Sequence, residues 1–320
     1  MNSELSNEIK AEAKRLGFFA CGIAKADAVD ANVVSLYRKW LSEGKNSGMS
    51  WLDNYSDMRF DPRLLMPGLK SIVCVAMNYC PAKSMSDEQY QLAAYAYGQD
   101  YHEVVKNRLH SLAKSFSFEH YRAFCDSAPV LERYWAVKAG IGWTGRNHQL
   151  IIPQGGSMFF LGELFLDIEL EYDEPMKSRC GNCTRCVEAC PTGAISFAKE
   201  YGTAADLRTT DFDSNKCLSY QTIENRGEIP SDIADKMGHT IYGCDCCQKC
   251  CPWNRLAVPN TIEEFQPSDQ LLSMTRQDWK QLSEEQYRSL FKKSAVKRAK
   301  YEGLMRNIRA VESNDPQHCE

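Results

Sequence analysis

The stretch Cys180-Gly-Asn-Cys183-Thr-Arg-Cys186-Val-Glu-Ala-Cys190-Pro191 decides how the rest of the chain is read. Three thiols at x2 spacing, a fourth after x3 and a proline directly behind it make the bacterial ferredoxin run. There the first three cysteines wrap one four-iron cluster, and the fourth points away to ligate a second. Zinc sites use paired C-x2-C ligands and rarely this four-cysteine run. The complement lies downstream, in Cys244-Asp245-Cys246-Cys247-Gln248-Lys249-Cys250-Cys251-Pro252. Of 15 cysteines in the chain, ten fall between Cys180 and Cys251. Two [4Fe-4S] clusters take eight thiolates. The Cys-Pro step selects Cys251 as the crossing ligand, mirroring Cys190-Pro191. Cluster one then takes Cys180, Cys183, Cys186 and Cys251. Cluster two takes Cys190, Cys217, Cys244 and Cys247. A rival assignment replaces Cys251 with Cys250, because Cys244-x2-Cys247-x2-Cys250 also fits a turn. On the first assignment Cys246 and Cys250 are spare, small residues beside a cluster.

Outside this block the chain is ordinary. Its 320 residues are 43% hydrophobic and 25% charged, which excludes a disordered, collagen-like or coiled-coil protein. A net charge of -4 does not suit a polycationic nucleic-acid coat. The first 179 residues hold only Cys21, Cys74, Cys80 and Cys125, whereas a disulfide scaffold would be short and uniformly cysteine-rich. The opening MNSELSNEIKAEAKRL has no apolar core of a signal peptide, and no run approaches 18 apolar residues. The expectation is a cytoplasmic protein with no membrane span, where thiols stay reduced and hold metal.

Upstream, Ser3 to Gly17 reads as a capped helix with Leu5, Ile9, Ala13 and Leu16 on one face. SIVCVAMNY at 71–79 is a buried strand entered through the turn Pro67-Gly68, with Cys74 in the core. Residues 103–117 suit a helix. HQLIIP at 148–153 and MFFLGELFLDIEL at 158–170 read as strands around Gly155-Gly156. The mixture predicts an α+β or α/β catalytic domain over 1–170, a two-cluster ferredoxin-like domain over 171–260, and a C-terminal helical segment and tail over 261–320. Within the last, 292–309 carries seven basic residues and one acid. The bland reading is an amphipathic helix with Ala295, Ala299 and Leu304 packed inward.

Two clusters make an electron wire, and a wire needs a terminus. The large N-terminal domain is the place for it. No nucleotide fingerprint names the terminal cofactor there. Gly140-Ile-Gly142-x-x-Gly145 follows a helix-like stretch rather than a strand, so it reads as a turn.

The sequence resembles the epoxyqueuosine reductase family over about residues 5–310. The resemblance is carried by Arg59-Phe60-Asp61-Pro62 with Pro67-Gly68, the run from Tyr95 to His102, and Asp126-Ser-Ala-Pro-Val-Leu-Glu132-Arg133. It continues through Ala139 to Asn147, both cysteine motifs, the run from Cys217 to Glu224, and Ile241-Tyr242-Gly243 leading into Cys244. It implies a cobalamin-binding domain of reductive-dehalogenase or nitroreductase type joined to the two-cluster domain. It implies reduction of the epoxide of epoxyqueuosine, at the wobble position of tRNA, to the alkene of queuosine. Electrons would pass from a low-potential donor through both clusters to base-off cobalamin, in a self-sufficient monomer. Asp126 matches the family's proton donor, and opening an epoxide needs a proton at its oxygen. Taken alone, Asp126-Ser-Ala-Pro equally suggests a turn or helix cap.

The resemblance also implies cofactor contacts at Arg59, Tyr95, Tyr97, Asp126, Asn147, Leu150, Ser219 and Gln221, with His102 a polar wall residue rather than a cobalt ligand. Cys246 stands where the family carries an acid, which marks it as a non-ligand. Lacking the C-terminal repeat domain of longer relatives, this chain would meet tRNA through its core and through Lys292, Lys293, Lys297, Arg298 and Lys300, since a polyanion binds where positive charge is concentrated. The competing readings are a relative of the reductive dehalogenases, a plain electron-transfer protein and a zinc-dependent RNA-binding module.

Overall fold

The structure is a computed structural model that describes residues 3–198 and 210–314. Cys319 and the end of the polar tail lie outside the described residues.

The apolar run at 71–79 forms the strand Ser71–Asn78, and every residue in it is buried. It is an inner strand of a four-stranded antiparallel sheet in the order Ala20–Lys25, Ser71–Asn78, Phe159–Leu166, Tyr121–Phe124. Alternation along the strand feeds two cores. Val73, Val75 and Met77 join Ile9, Leu109 and Leu112, carried by the helices Ser3–Arg15 and Tyr101–Ser115. Ile72, Cys74 and Ala76 join Trp135 and Ala136 of the helix Glu132–Lys138. An antiparallel sheet covered by helices on both faces is the α+β architecture read from the sequence.

Strand pairing departs from that reading in one place. Gly155-Gly156 does make the expected turn, closed by an Ile152–Gly156 bridge with Gly156 at φ +80°. The segment before it extends only over Leu150–Ile151, however, and pairs with Trp143–Thr144. Phe159–Leu166 instead takes partners far away in sequence, because a long apolar strand needs two long neighbours. The strand Ala20–Lys25 was not foreseen. Its Gly22 is required by close approach: a Cβ there would lie 2.0 Å from the Ala139 carbonyl oxygen, where the 132–138 helix ends. Gly140 then takes φ +69°, so the glycine-rich stretch is the turn after a helix that its sequence indicates.

The larger core runs from Ile9 through Tyr242 and Trp279 to Val311. Residues of 9–170, 218–242 and 265–311 therefore close one core together. A parallel pairing of Thr240–Tyr242 with Gln91–Leu92 adds a second tie. The basic stretch is not one helix. It forms a 3-10 turn, Ala295–Ala299, and breaks at Lys300, whose φ is +60°, before the helix that runs to Ser313. Ala295, Ala299 and Leu304 are buried as the amphipathic reading expects.

Candidate functional site

The short helices Arg185–Glu188 and Cys246–Lys249, each followed within two residues by a Cys-Pro step, pack on one another. The echo between the two cysteine motifs is thus a spatial one. Cys180, Cys183, Cys186 and Cys251 line one cavity together with Asn147 and Trp253. Trp143 and Trp253, edge to face with centroids 4.8 Å apart, wall its apolar side. Arg146 ties the loop down by donating to the carbonyls of Gly181, at 2.8 Å, and Cys183. Cys250 does not line this cavity; its thiol donates to the Cys247 carbonyl at 3.5 Å. The other four sulfurs also gather. Cys190 and Cys217 lie close enough to act electrostatically on Cys247, and Cys217 on Cys244. Among the described residues no three His, Cys, Asp or Glu groups converge on a single ion. A lone tetrahedral zinc would hold its sulfurs about 2.3 Å from one point. Thiols spread around a cavity suit a larger group, as a four-iron cluster is, so these residues fit two such clusters.

The thiol module is stapled to the sheet domain by polar side chains. Buried Gln248 donates to the Ser157 carbonyl at 2.8 Å and to the Tyr79 hydroxyl at 3.0 Å. The Asn254 carboxamide accepts from the Ser157 N–H at 2.6 Å, and the Asp245 carboxylate accepts from the Ala94 N–H at 2.7 Å. Asn147 donates to the Cys247 carbonyl at 3.3 Å.

Asp126 and Asp245 of the thiol module lie within electrostatic reach of the same side chain, Tyr95. Asp126 is a non-glycine residue at φ +52°, with its side chain 58% exposed. It caps nothing: the following helix starts at Glu132 with Leu131 at its N-cap and no side-chain cap. Instead its carboxylate accepts a short hydrogen bond from the Tyr101 hydroxyl. His102 Nε2 stands 3.7 Å from the same oxygen, and His102 Nδ1 lies 2.6 Å from Asp100. Burial opposes protonation of His102, but the Asp100 carboxylate outweighs it and raises the imidazole pKa. Burial, and then the charge of Asp126, push the Tyr101 phenol far up, so it stays a donor. Tyr95 stacks edge-on to Tyr101 and donates to the Tyr242 hydroxyl at 3.2 Å.

The basic turn reaches the same rim. Arg298 is near enough to Asp126 and Tyr242 to feel their charge, and Lys297 acts on Asp100. Arg298 is also paired with Glu224 at 2.8 Å and lies over the exposed Trp51 ring. Lys292, Lys293 and Lys300 are exposed.

The proposed corrin contacts divide into two groups. Arg59 is buried beside Tyr37 with Nε lacking any hydrogen-bond partner, an unused donor that suits a carboxamide-rich ligand. Tyr95 and Ser219 are partly open. Tyr97, Leu150 and Gln221 are buried. The Tyr97 hydroxyl accepts from the Met85 N–H at 3.4 Å, and the Gln221 amide is spent on Asn215 and Asn225. These three support the wall rather than face open space. Two carboxyls escaped the sequence reading as site residues: Glu132, quoted only within its motif, and Glu163, hidden in an apolar strand.

A thiol module built for two clusters, fixed against a domain that presents an exposed acid, defines an iron–sulfur oxidoreductase. Residues 59–127 match the family described as epoxyqueuosine reductase QueG, DUF1730, and residues 179–254 match the 4Fe-4S double cluster binding domain. The epoxyqueuosine reductase of Cellulophaga algicola is 43% identical over 307 residues, 95% of this chain and 96% of that one. A crystal structure of epoxyqueuosine reductase with an epoxyqueuosine-modified tRNA-Tyr stem loop matches with a TM-score of 0.85 and 26% identity, over 97% of this chain and 81% of that one. The Bacillus subtilis epoxyqueuosine reductase, described with an aspartate-bearing catalytic loop swung out of its active site, matches with a TM-score of 0.84 and 26% identity, over 97% and 82%. The chain belongs to the epoxyqueuosine reductase family. Among the described residues no helix is long and apolar enough to cross a membrane.

Proposed function

We propose that this chain reduces epoxyqueuosine in tRNA to queuosine. The observation that carries the reading is an exposed carboxyl, Asp126, held by Tyr101 beside Tyr95, which Asp245 of the thiol module also reaches electrostatically. Converting an epoxide to an alkene takes two electrons and two protons and releases the oxygen as water. When bound, two [4Fe-4S] clusters and base-off cobalamin supply those electrons from a low-potential donor. Cys180, Cys183, Cys186 and Cys251 hold one cluster; Cys190, Cys217, Cys244 and Cys247 hold the other. Arg59, Tyr95 and Ser219 offer polar contacts to the corrin, and Asn147, buried with its amide spent on Cys247 and Gln149, supports the wall.

The chain's own part is proton delivery and positioning. Asp126 delivers a proton to the departing oxygen, and the Tyr101 hydroxyl steers that carboxyl. His102, whose protonation Asp100 favours, stands 3.7 Å from the carboxyl and stabilises the anion that Asp126 becomes. Lys292, Lys293, Lys297, Arg298 and Lys300 meet the tRNA backbone next to this rim, and exposed Trp51 offers a face on which a base can stack. The test is turnover: the chain loaded with iron, sulfide and cobalamin, given reductant and epoxyqueuosine-containing tRNA, should form queuosine. Fully loaded protein that leaves the epoxide intact overturns the reading.

A further inference from the structure

Glu163 sits at the centre of the sheet, opposite Cys74 on one neighbouring strand and Phe124 on the other. Its exposure is 0%, and neither carboxylate oxygen meets a hydrogen-bond partner at bonding distance. Ionising a buried carboxyl in that state is strongly disfavoured, so it holds its proton. The acid within electrostatic reach is Glu132 at the start of the 132–138 helix. Glu132 is also the residue that grips the Asp126 loop: its Oε1 accepts the Asp126 backbone N–H at 2.5 Å. Asp126 holds a left-handed φ of +52°, a conformation that needs an outside hold.

We propose that Glu132 and Glu163 form a proton-holding pair that positions Asp126, with Glu132 gripping the backbone of its loop. This rests on the reading of Asp126 as the proton donor. The groups facing the pair are few. Asp126 faces it from the loop, Arg133 from the helix, Cys74 from the neighbouring strand, and Cys125 from the strand end, where Lys106 of the 101–115 helix also acts. Burial, then the charge of Asp126, push Glu132 up to about 8, and burial with Glu132 beside it raises Glu163 well above the usual carboxylate range. At neutral pH Glu132 is therefore mostly protonated. As pH rises through about 8, Glu132 ionises and sets a negative charge behind Asp126. That charge opposes the anion Asp126 must become when it gives up its proton, so kcat falls.

Two measurements test the pair. Infrared spectroscopy of the loaded protein should show a protonated carboxyl band at pH 7 that weakens as pH passes 8, and Glu132→Gln should remove that change. This readout needs no turnover, so it stands or falls apart from the substrate assignment. In turnover, Glu132→Gln should lose the alkaline limb of the kcat profile. Glu132→Ala, which loses the grip, should lower kcat about ten- to a hundredfold with KM for tRNA and iron content kept. If Glu132→Ala fails to fold, the Glu132→Gln profile still decides. No protonated carboxyl at pH 7, or a Glu132→Gln profile that superimposes on the unmodified protein's, overturns the proposal. A correct infrared titration in a protein that never reduces epoxyqueuosine keeps the pair and removes the substrate.

Discussion

Asp126 is held in place from two sides, and each side can be removed separately. Tyr101 bonds its carboxylate and Glu132 bonds its N–H, so the acid keeps a left-handed backbone that aims it outward. A hydrogen bond to a charged group contributes about 1.5–3 kcal/mol. Tyr101→Phe should accordingly lower kcat by roughly ten- to a hundredfold with tRNA affinity kept. Asp126→Ala should keep both clusters by iron analysis and lose turnover by about a hundredfold or more, the scale of a missing general acid. Full activity in Asp126→Ala would remove it from the mechanism. Little of this geometry was legible in sequence. Asp-Ser-Ala-Pro looks like a cap, and only family resemblance singled out Asp126. Glu163 was hidden for a different reason: inside MFFLGELFLDIEL it looks like a polar interruption in a strand, and only folding brings it within electrostatic reach of Glu132.

At the level of elements, what was local in sequence was readable and what was distant was not. The thiol spacings of two short helices are what suggested the proposed division into two sets of four. The cavity lining then favours Cys251 over Cys250. Iron analysis after reconstitution checks this: Cys250→Ala and Cys246→Ala should keep about eight irons per chain, and Cys251→Ala about four. Iron loss in Cys250→Ala, with Cys251→Ala intact, would reverse the assignment. The strand pairing was misread because HQLIIP and MFFLGELFLDIEL adjoin in sequence, while the longer strand finds its neighbours about 40 and 90 residues upstream. The docking of Gln248 on Ser157 and Tyr79 was likewise invisible, since it joins residues far apart in the chain.

Across the whole molecule, an acidic chain places cations at the edge of its reaction centre. Lys297 neighbours Asp100, and Arg298 lies over Trp51 within electrostatic reach of Asp126. The sequence showed the charge run; folding turned it into a short turn on the catalytic rim instead of one long helix. Lys297→Glu should weaken tRNA binding and reduce the salt slope by about one unit, as losing a phosphate contact does. An unchanged slope would return this turn to a structural role. Arg298 is a less clean probe, because it also pairs with Glu224. Residues from both ends of the described chain close the same hydrophobic cluster, which fixes the basic turn against the sheet domain.

The central claim is that this chain removes the epoxide oxygen of epoxyqueuosine in tRNA, and mass analysis of the wobble nucleoside after incubation tests it most directly. With loaded protein and reductant, the nucleoside should lose one oxygen and become queuosine, and omitting reductant should prevent the change. An unchanged epoxyqueuosine mass, with both clusters and cobalamin verified in the protein, would contradict the account.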